Sequence, residues 1–259
     1  MTPAPSSSLQ SFEELQAPGR PTQKIGPEEL GELIGKSPKL VFLTGAGVST
    51  ASGIPDFQTT DASWSYALPR TEMISLPYFL THPESFWKVY SELFMGKLEA
   101  QPNEVHHWIA SLEKDHRVVV ATQNVDGLHA MAESTNVLEC HGSIWRVVCL
   151  PCRVTFPTQL FLGEDLPTCP HCGSPLKPDV SLFMDEVHCM EEAARAIGEA
   201  DLLLVVGTSL RVGPFNELPL ALPPGIPSLW MDQEEPPGRY GFTYGCLGEL
   251  TTILGEMEK

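Results

Sequence analysis

The sequence has no apolar run approaching the ~20 residues that a membrane-spanning helix needs. Its start also lacks the charged-then-apolar order of a secretory signal. Basic residues are scarce: 16 Lys and Arg against 33 Asp and Glu leave a net charge of −17. That balance repels nucleic-acid backbones and anionic membranes and favours basic partners such as lysine-rich peptides. An even cysteine count is missing too. Seven cysteines, four of them in two C-x-x-C pairs, suit a metal in a reducing compartment better than a disulfide framework, so the expected location is cytoplasmic. What is present is 259 residues with 42% apolar content, enough for one large α/β domain with a small insert. A soluble globular enzyme is the default reading of that composition.

The chain is organised around Leu40–Phe57, LVFLTGAGVSTASGIPDF. Leu40–Leu43 reads as a strand buried on both faces of a parallel sheet. Gly45 and Gly47 bracket Ala46 at its exit, where residues without bulk let backbone N–H groups approach a diphosphate at the start of the following helix. The third glycine of the dinucleotide fingerprint is absent, so this stretch alone also fits a tight strand-to-helix turn with no ligand. Other segments decide between the two.

Met1–Lys24, rich in Pro, Ser and Gln, is expected to be a mobile tail. Pro27–Ile34 predicts a short helix, and Gln58–Ser65 predicts a loop able to close over a ligand. Pro83–Leu98 predicts an amphipathic helix whose Phe86, Trp87, Tyr90 and Phe94 pack as core. Asn103–Leu112 predicts a helix capped by Asn103, with His106 and His107 structural. Arg117–Ala121 is a β-branched run followed by TQNVDGLH, which sets Gln123, Asn124 and Asp126 just past a strand, where open α/β sheets bind ligands. A helix cap remains a reasonable alternative for Asp126. His141, before Gly142 at the end of another short apolar segment, is the best general-base candidate. Asp201–Val206 is a further buried strand ending in Gly207-Thr208-Ser209, and Ser228–Met231 ends at Asp232, whose carboxylate suits ribose hydroxyls. Leu247–Met257 predicts a last helix closing the sheet edge.

Cys149 and Cys152 are followed after sixteen residues by Cys169 and Cys172, the spacing of a zinc ribbon. Four thiolates complete a tetrahedral Zn²⁺ and leave no open position, so the expected role is structural. A redox C-x-x-C pair, or His171 as a ligand, is the alternative.

Taken together, GAGVSTASGIPDF (45–57), TQNVDGLH (122–129), His141-Gly142, the two cysteine knuckles, KPDVSLF (177–183) and GTSLRVGP (207–214) resemble the sirtuins, the NAD-dependent protein lysine deacylases, across nearly everything after residue 25. The resemblance implies a Rossmann-like parallel sheet with helices on both faces, formed by 25–145 and 179–259 with a lid and helical module at 57–100. It also implies an inserted zinc-ribbon domain at 146–178. By the same resemblance, Gly45, Ala46, Thr208 and Ser209 hold the diphosphate of NAD and its neighbouring ribose. Asp232 holds the adenosine ribose, Ile54 and Asp56 face the carboxamide, and Gln123, Asn124 and Asp126 line the nicotinamide ribose. Phe57 covers the sugar, and Gly47, Gln58, Gly207 and Cys246 complete the cofactor set. Val180, Ser181 and Phe183 flank an acyl-lysine peptide lying as an added strand. The acyl oxygen attacks C1′ of the ribose and displaces nicotinamide, His141, assisted by Asn124 and Asp126, takes a proton from a ribose hydroxyl so that the intermediate cyclises, and water completes the transfer, giving free lysine and an O-acyl-ADP-ribose. One structural Zn²⁺ per chain and a monomeric assembly are expected. Transfer of ADP-ribose to protein or to water is the alternative outcome at the same site.

Four positions depart from the family pattern. Gln58 stands where an arginine is usual, which implies NAD binding weaker by about 1.5–3 kcal/mol, a difference the Michaelis constant of Gln58→Arg for NAD would measure. Met184-Asp185 replaces Gly-Glu, and Asp232 replaces a common asparagine. The desuccinylating branch carries an i, i+3 Tyr–Arg pair where this chain has Trp87-Lys88-Val89-Tyr90, so neutral acyl groups are expected.

Overall fold

The computed structural model describes residues 23–55 and 64–257. The tail to residue 22, the site candidates Asp56, Phe57 and Gln58, and most of the anticipated loop lie outside the described residues.

Ten strands follow in chain order: β1 (Gln23–Lys24), β2 (Lys39–Thr44), β3 (Arg117–Thr122), β4 (Val137–Glu139), β5 (Gly142–Cys149), β6 (Val154–Pro157), β7 (Lys177–Val180), β8 (Leu202–Val206), β9 (Ser228–Asp232) and β10 (Tyr244–Leu247). Seven form one sheet in the order β1-β10-β9-β8-β2-β3-β4, with every neighbouring pair parallel. The period of two explains why these strands read as unbroken apolar runs. Leu40, Phe42, Leu202 and Leu204 point into one core with Leu30, Ile109 and Ile253, while Val41, Leu43, Leu203 and Val205 point into another with Ile197, Phe215 and Trp230.

Three boundaries differ from the sequence reading. Gln23 and Lys24, assigned to the tail, pair with Tyr244 and Gly245 and form the sheet edge. The last helix begins only at Leu250, because the preceding YGCL is strand β10; the helix packs over the sheet face beside Pro27–Gly35 instead of closing the edge. The aromatic helix ends at Phe94 and tightens to a 3-10 turn over Met95–Glu99.

A third core lies off the sheet. The antiparallel set β6-β5-β7 packs Ile144, Val147, Cys149, Cys169 and Leu176 against Phe86, Trp87, Tyr90 and Phe94 of helix Pro83–Phe94. Trp87 donates its indole N–H to the Leu176 carbonyl at 2.8 Å, so the aromatic stripe is indeed packing. Helix Glu104–Ser111 starts on an Asn103 cap, whose Oδ1 accepts from Val105 N at 2.9 Å. The amide of the same Asn103 donates to the Val48 carbonyl and Ser52 Oγ, fastening the turn after β2.

Under that turn sits a buried pair of imidazoles. His106 and His129 have ring centroids 4.9 Å apart, and His129 Nε2 lies 2.9 Å from Thr44 Oγ1, while His106 Nε2 and His129 Nδ1 have no partner. Burial lowers both pKa values, to about 4 for His106 and about 3 for His129. Both therefore stay neutral in the fold at a pH where the unfolded chain binds protons. Their contribution is intact above the unfolded midpoint near 6.5 and is lost as pH falls towards 4. At pH 5 this amounts to about 2 kcal/mol per ring. Urea unfolding at pH 7.5 and pH 5 should show that loss, with roughly half of it gone in His129→Gln; an unchanged pH response in the variant would refute the assignment.

Candidate active site

In chain order β2, β3 and β4 step to one side of the sheet while β8, β9 and β10 step to the other. The carboxyl ends of β2 and β8 therefore flank the switch point, the place where open α/β sheets leave a ligand crevice. Both exits are glycine turns, and they are in contact. A Cβ on Gly45 would lie 2.6 Å from Thr208 Cβ, and one on Gly47 would lie 2.7 Å from Gly207 Cα. Gly207, at φ +58°, would set a Cβ 2.6 Å from Val48 N. Gly47 donates its N–H to the Gly207 carbonyl at 2.8 Å. The sequence reading gave Gly45 and Gly47 to phosphate access; in the fold their missing side chains first allow the two strand exits to touch, and the Gly47 amide is taken by protein. The anticipated helical start is there, as the tight 3-10 helix Ala46–Ser52. Ile54 is buried just beyond it, after the left-handed Gly53.

Polar groups converge above this junction. Ser49 Oγ donates to Asp126 Oδ2 at 2.7 Å and accepts from Asn124 Nδ2 at 2.9 Å, and the same amide donates to the Gly45 carbonyl at 3.0 Å. Asp126 Oδ1 accepts from Leu128 N at 3.0 Å. Burial raises the Asp126 pKa, partly offset by the Leu128 N–H and the Ser49 hydroxyl. Thr208 Oγ1 donates to Gln123 Oε1 at 2.7 Å, joining the ends of β8 and β3. Ser209 follows it, half-buried, at the mouth of the same turn.

His141 Nδ1 lies 3.2 Å from the Gln123 carbonyl. A carbonyl can only accept, so Nδ1 carries the proton and Nε2 keeps its lone pair. Burial lowers the His141 pKa, which keeps the ring a neutral base at neutral pH. Gly142 follows at φ +76°, where a Cβ would collide with the Asp179 carbonyl at 2.0 Å. Trp145 on β5 donates its indole N–H to the Asp126 carbonyl at 2.7 Å, so the ribbon's first strand grips the loop that carries Asn124 and Asp126. Arg146 adds a second tie, reaching Asp179 Oδ2 at 2.7 Å and Glu139 Oε2 at 2.8 Å.

The four Sγ atoms of Cys149, Cys152, Cys169 and Cys172 lie within 4.8 Å of one another, and those of Cys149 and Cys172 are 3.6 Å apart. Tetrahedral Zn–S bonds of ~2.3 Å require S···S separations of about 3.8 Å, so this set fits a closed structural zinc. His171 instead packs edge-on against Phe156, and no other group of metal ligands occurs among the described residues. Val180 ends β7 and Ser181 follows it beside His141, Ser181 N donating to the His141 carbonyl at 2.8 Å, and Phe183 is 47% exposed.

Two candidates stand further off. Asp232 ends β9, one strand beyond β8, and its Oδ1 accepts from Gln233 N at 2.7 Å; burial raises its pKa. Cys246 is buried in the sheet core. Ser49, which holds Asp126 and Asn124 together, was not singled out from the sequence; its spacing of four residues from Gly45 was the signal available.

A sequence model of the Sir2 family matches residues 45–214. The NAD-dependent protein deacetylase of Chromobacterium violaceum is 42% identical over 202 residues, covering 76% of this chain and 83% of that protein. That of Bacillus subtilis is 39% identical over 219 residues, covering 80% and 89%. Among solved structures, one described as "Sir2-p53 peptide-NAD+" superposes with a TM-score of 0.79 at 31% identity, covering 90% of this chain and 98% of its own. Another, "Sir2 bound to acetylated peptide", gives 0.78 at 30% identity, with the same coverage. With the switch-point turns, His141 and the four-cysteine cluster all inside the matched span, the chain belongs to the Sir2 family.

Proposed function

We propose that this protein removes acetyl, or another neutral acyl, groups from lysine side chains, consuming NAD and releasing nicotinamide and an O-acyl-ADP-ribose. The observation that carries the reading is the arrangement at the carboxyl ends of β2, β3 and β4: a neutral His141 with Nε2 unprotonated, tied to the Gln123 carbonyl of the loop whose Asn124 and Asp126 are joined through Ser49 by side-chain hydrogen bonds. The relatives' shared description as NAD-dependent deacetylases supports it.

NAD fits this crevice chemically: the joined turns at Gly45 and Gly207 offer backbone, and Gln123, Asn124 and Asp126 offer ribose and amide partners. Bound there, NAD supplies an electrophilic anomeric carbon. In this reading Gly45, Ala46, Gly47, Gly207, Thr208 and Ser209 line the phosphates, Asp232 and the main chain at Cys246 lie towards the adenosine end, and Ile54 lies towards the carboxamide. Asp56, Phe57 and Gln58 belong to the same set by sequence. Asn124 and Asp126 orient the ribose, and His141 Nε2 takes the proton. Val180, Ser181 and Phe183 flank the peptide. The zinc site is structural, so the metal supplies no chemistry to the reacting atoms.

Neutral acyl chains suit the site. The positions that would bind an acidic acyl group are Trp87 and Tyr90, both buried in the third core, with Lys88 exposed on another face. The division into a Rossmann-like unit of 25–145 and 179–259 and a ribbon of 146–178 belongs to the same proposal. So do a cytoplasmic location, consistent with seven unpaired thiols, and a monomer that avoids nucleic acid at net charge −17. No helix among the described residues is long and apolar enough to cross a membrane.

The test is incubation with NAD and an acetyl-lysine peptide, read by mass spectrometry. Nicotinamide, free-lysine peptide and O-acetyl-ADP-ribose should appear in equal amounts. Nicotinamide without deacetylated peptide would replace this reading with ADP-ribosyl transfer or NAD hydrolysis.

A further inference from the structure

Met184 combines two features that a surface methionine normally avoids. It is 82% exposed, and its backbone sits at φ +65°, the left-handed region that disfavours any residue with a side chain. It is no loose tip. The turn around it is fixed at every step: Ser181 N donates to the His141 carbonyl, Asp185 N to the Leu182 carbonyl and Phe183 N to the Ile74 carbonyl, while Leu76 N donates back to the Phe183 carbonyl. Ser181 Oγ reaches the Glu186 carbonyl at 2.7 Å.

Beneath the turn lies Lys177, an ammonium with 6% of its side chain exposed. Its three donors are all used: on the Pro178 carbonyl at 3.1 Å, the Val180 carbonyl at 2.7 Å and Asp185 Oδ2 at 2.7 Å. Asp185 Oδ1 accepts from Glu186 N. One buried ion pair thus closes the turn from Val180 to Glu186 and holds Phe183 and Met184 outward, two adjacent apolar side chains on a rigid support. Strain and apolar exposure kept together at a fixed position point to a binding role.

We propose that Met184 is a specificity-determining residue of the peptide cleft, selecting an apolar residue beside the acyl-lysine, and that the Lys177–Asp185 pair is its positioning device. This rests on the functional reading above. Four acetyl-lysine peptides, with leucine or serine immediately before or after the modified lysine, test it. Wild-type protein should show a KM about five- to tenfold lower for leucine at one of the two flanks. Met184→Gly should shrink that ratio below about twofold while leaving the KM for NAD unchanged. Asp185→Ala should raise the KM for the preferred peptide about tenfold with the KM for NAD unmoved. Asp185→Asn, which still accepts from Lys177, should fall between. A leucine-to-serine ratio that survives Met184→Gly, or equal KM for all four peptides in the wild type, overturns the inference alone. A lower kcat with an unmoved peptide KM in Asp185→Ala overturns the positioning role. If the wild-type protein deacetylates none of the four peptides, the functional reading falls and the inference with it.

Discussion

Chelating the metal from Cys149, Cys152, Cys169 and Cys172 is expected to abolish deacetylation and to melt the ribbon together with helix Pro83–Phe94, leaving the parallel sheet folded. Cys149 and Cys169 are themselves members of the third core, buried among Trp87, Tyr90, Phe94, Val147 and Leu176. Structural zinc binding is worth about 10–16 kcal/mol at neutral pH. That exceeds anything three short strands supply, since a small unit of this kind has too little buried apolar area to fold unaided. The two sheet cores contain none of the four cysteines, so their packing does not depend on the metal. Activity would go for a geometric reason. Trp145 on β5 and Ser181 just past β7 stand at the ends of the strands that enter and leave the ribbon, and they grip the loops of Asp126 and His141. Intrinsic fluorescence should report the release of Trp87 and Trp145, circular dichroism should keep its sheet signal, and Cys169→Ser should reproduce the chelated state. Full activity with metal analysis showing an empty site would overturn the assignment.

His141→Ala is expected to lower the rate of deacetylation by about 10²–10⁴-fold, the worth of a positioned general base. The loss should fall on kcat far more than on the KM for NAD, because Asn124, Asp126 and Thr208 keep their partners without the imidazole. In the order of events that the resemblance implies, the base acts after nicotinamide has left. The variant should therefore still exchange labelled nicotinamide into NAD in the presence of acetyl peptide. In the wild type, burial places the His141 pKa below the ordinary value, so the acid limb of the pH–rate profile should lie below pH 6.5. An exchange reaction lost in parallel with deacetylation would move His141 to an earlier step.

Much of this was readable in the chain. LVFL, RVVVA and DLLLVV announce strands covered on both faces, because a parallel sheet leaves no polar side. The polar tails of those runs announce the crevice, because strand ends are where such sheets bind ligands. The cysteine spacing announced the ribbon. What could not be read were contacts between residues distant in sequence. Ser49 meets Asp126, Gly45 meets Thr208, and His106 meets His129 only once β2, β3 and β8 are side by side. Strand β10, YGCL, is too short and too mixed to show a period of two, and it is a strand because β9 and β1 flank it. The role of the glycines was half visible: small residues were needed at the β2 exit, but their opposite number was a second glycine turn.

The third core is built from two pieces of chain that never meet in sequence, one inserted between β2 and β3 and the other between β4 and β8. Neither piece holds a complete apolar interior. Helix Pro83–Phe94 lends its aromatic face and the ribbon its Val147, Leu176 and cysteines, and the Trp87–Leu176 hydrogen bond seals the seam. The two inserts are therefore a single packing unit. A ribbon transplanted from a relative without its matching helix would arrive with half a core, and chimeras that exchange both inserts together should fold where single exchanges aggregate.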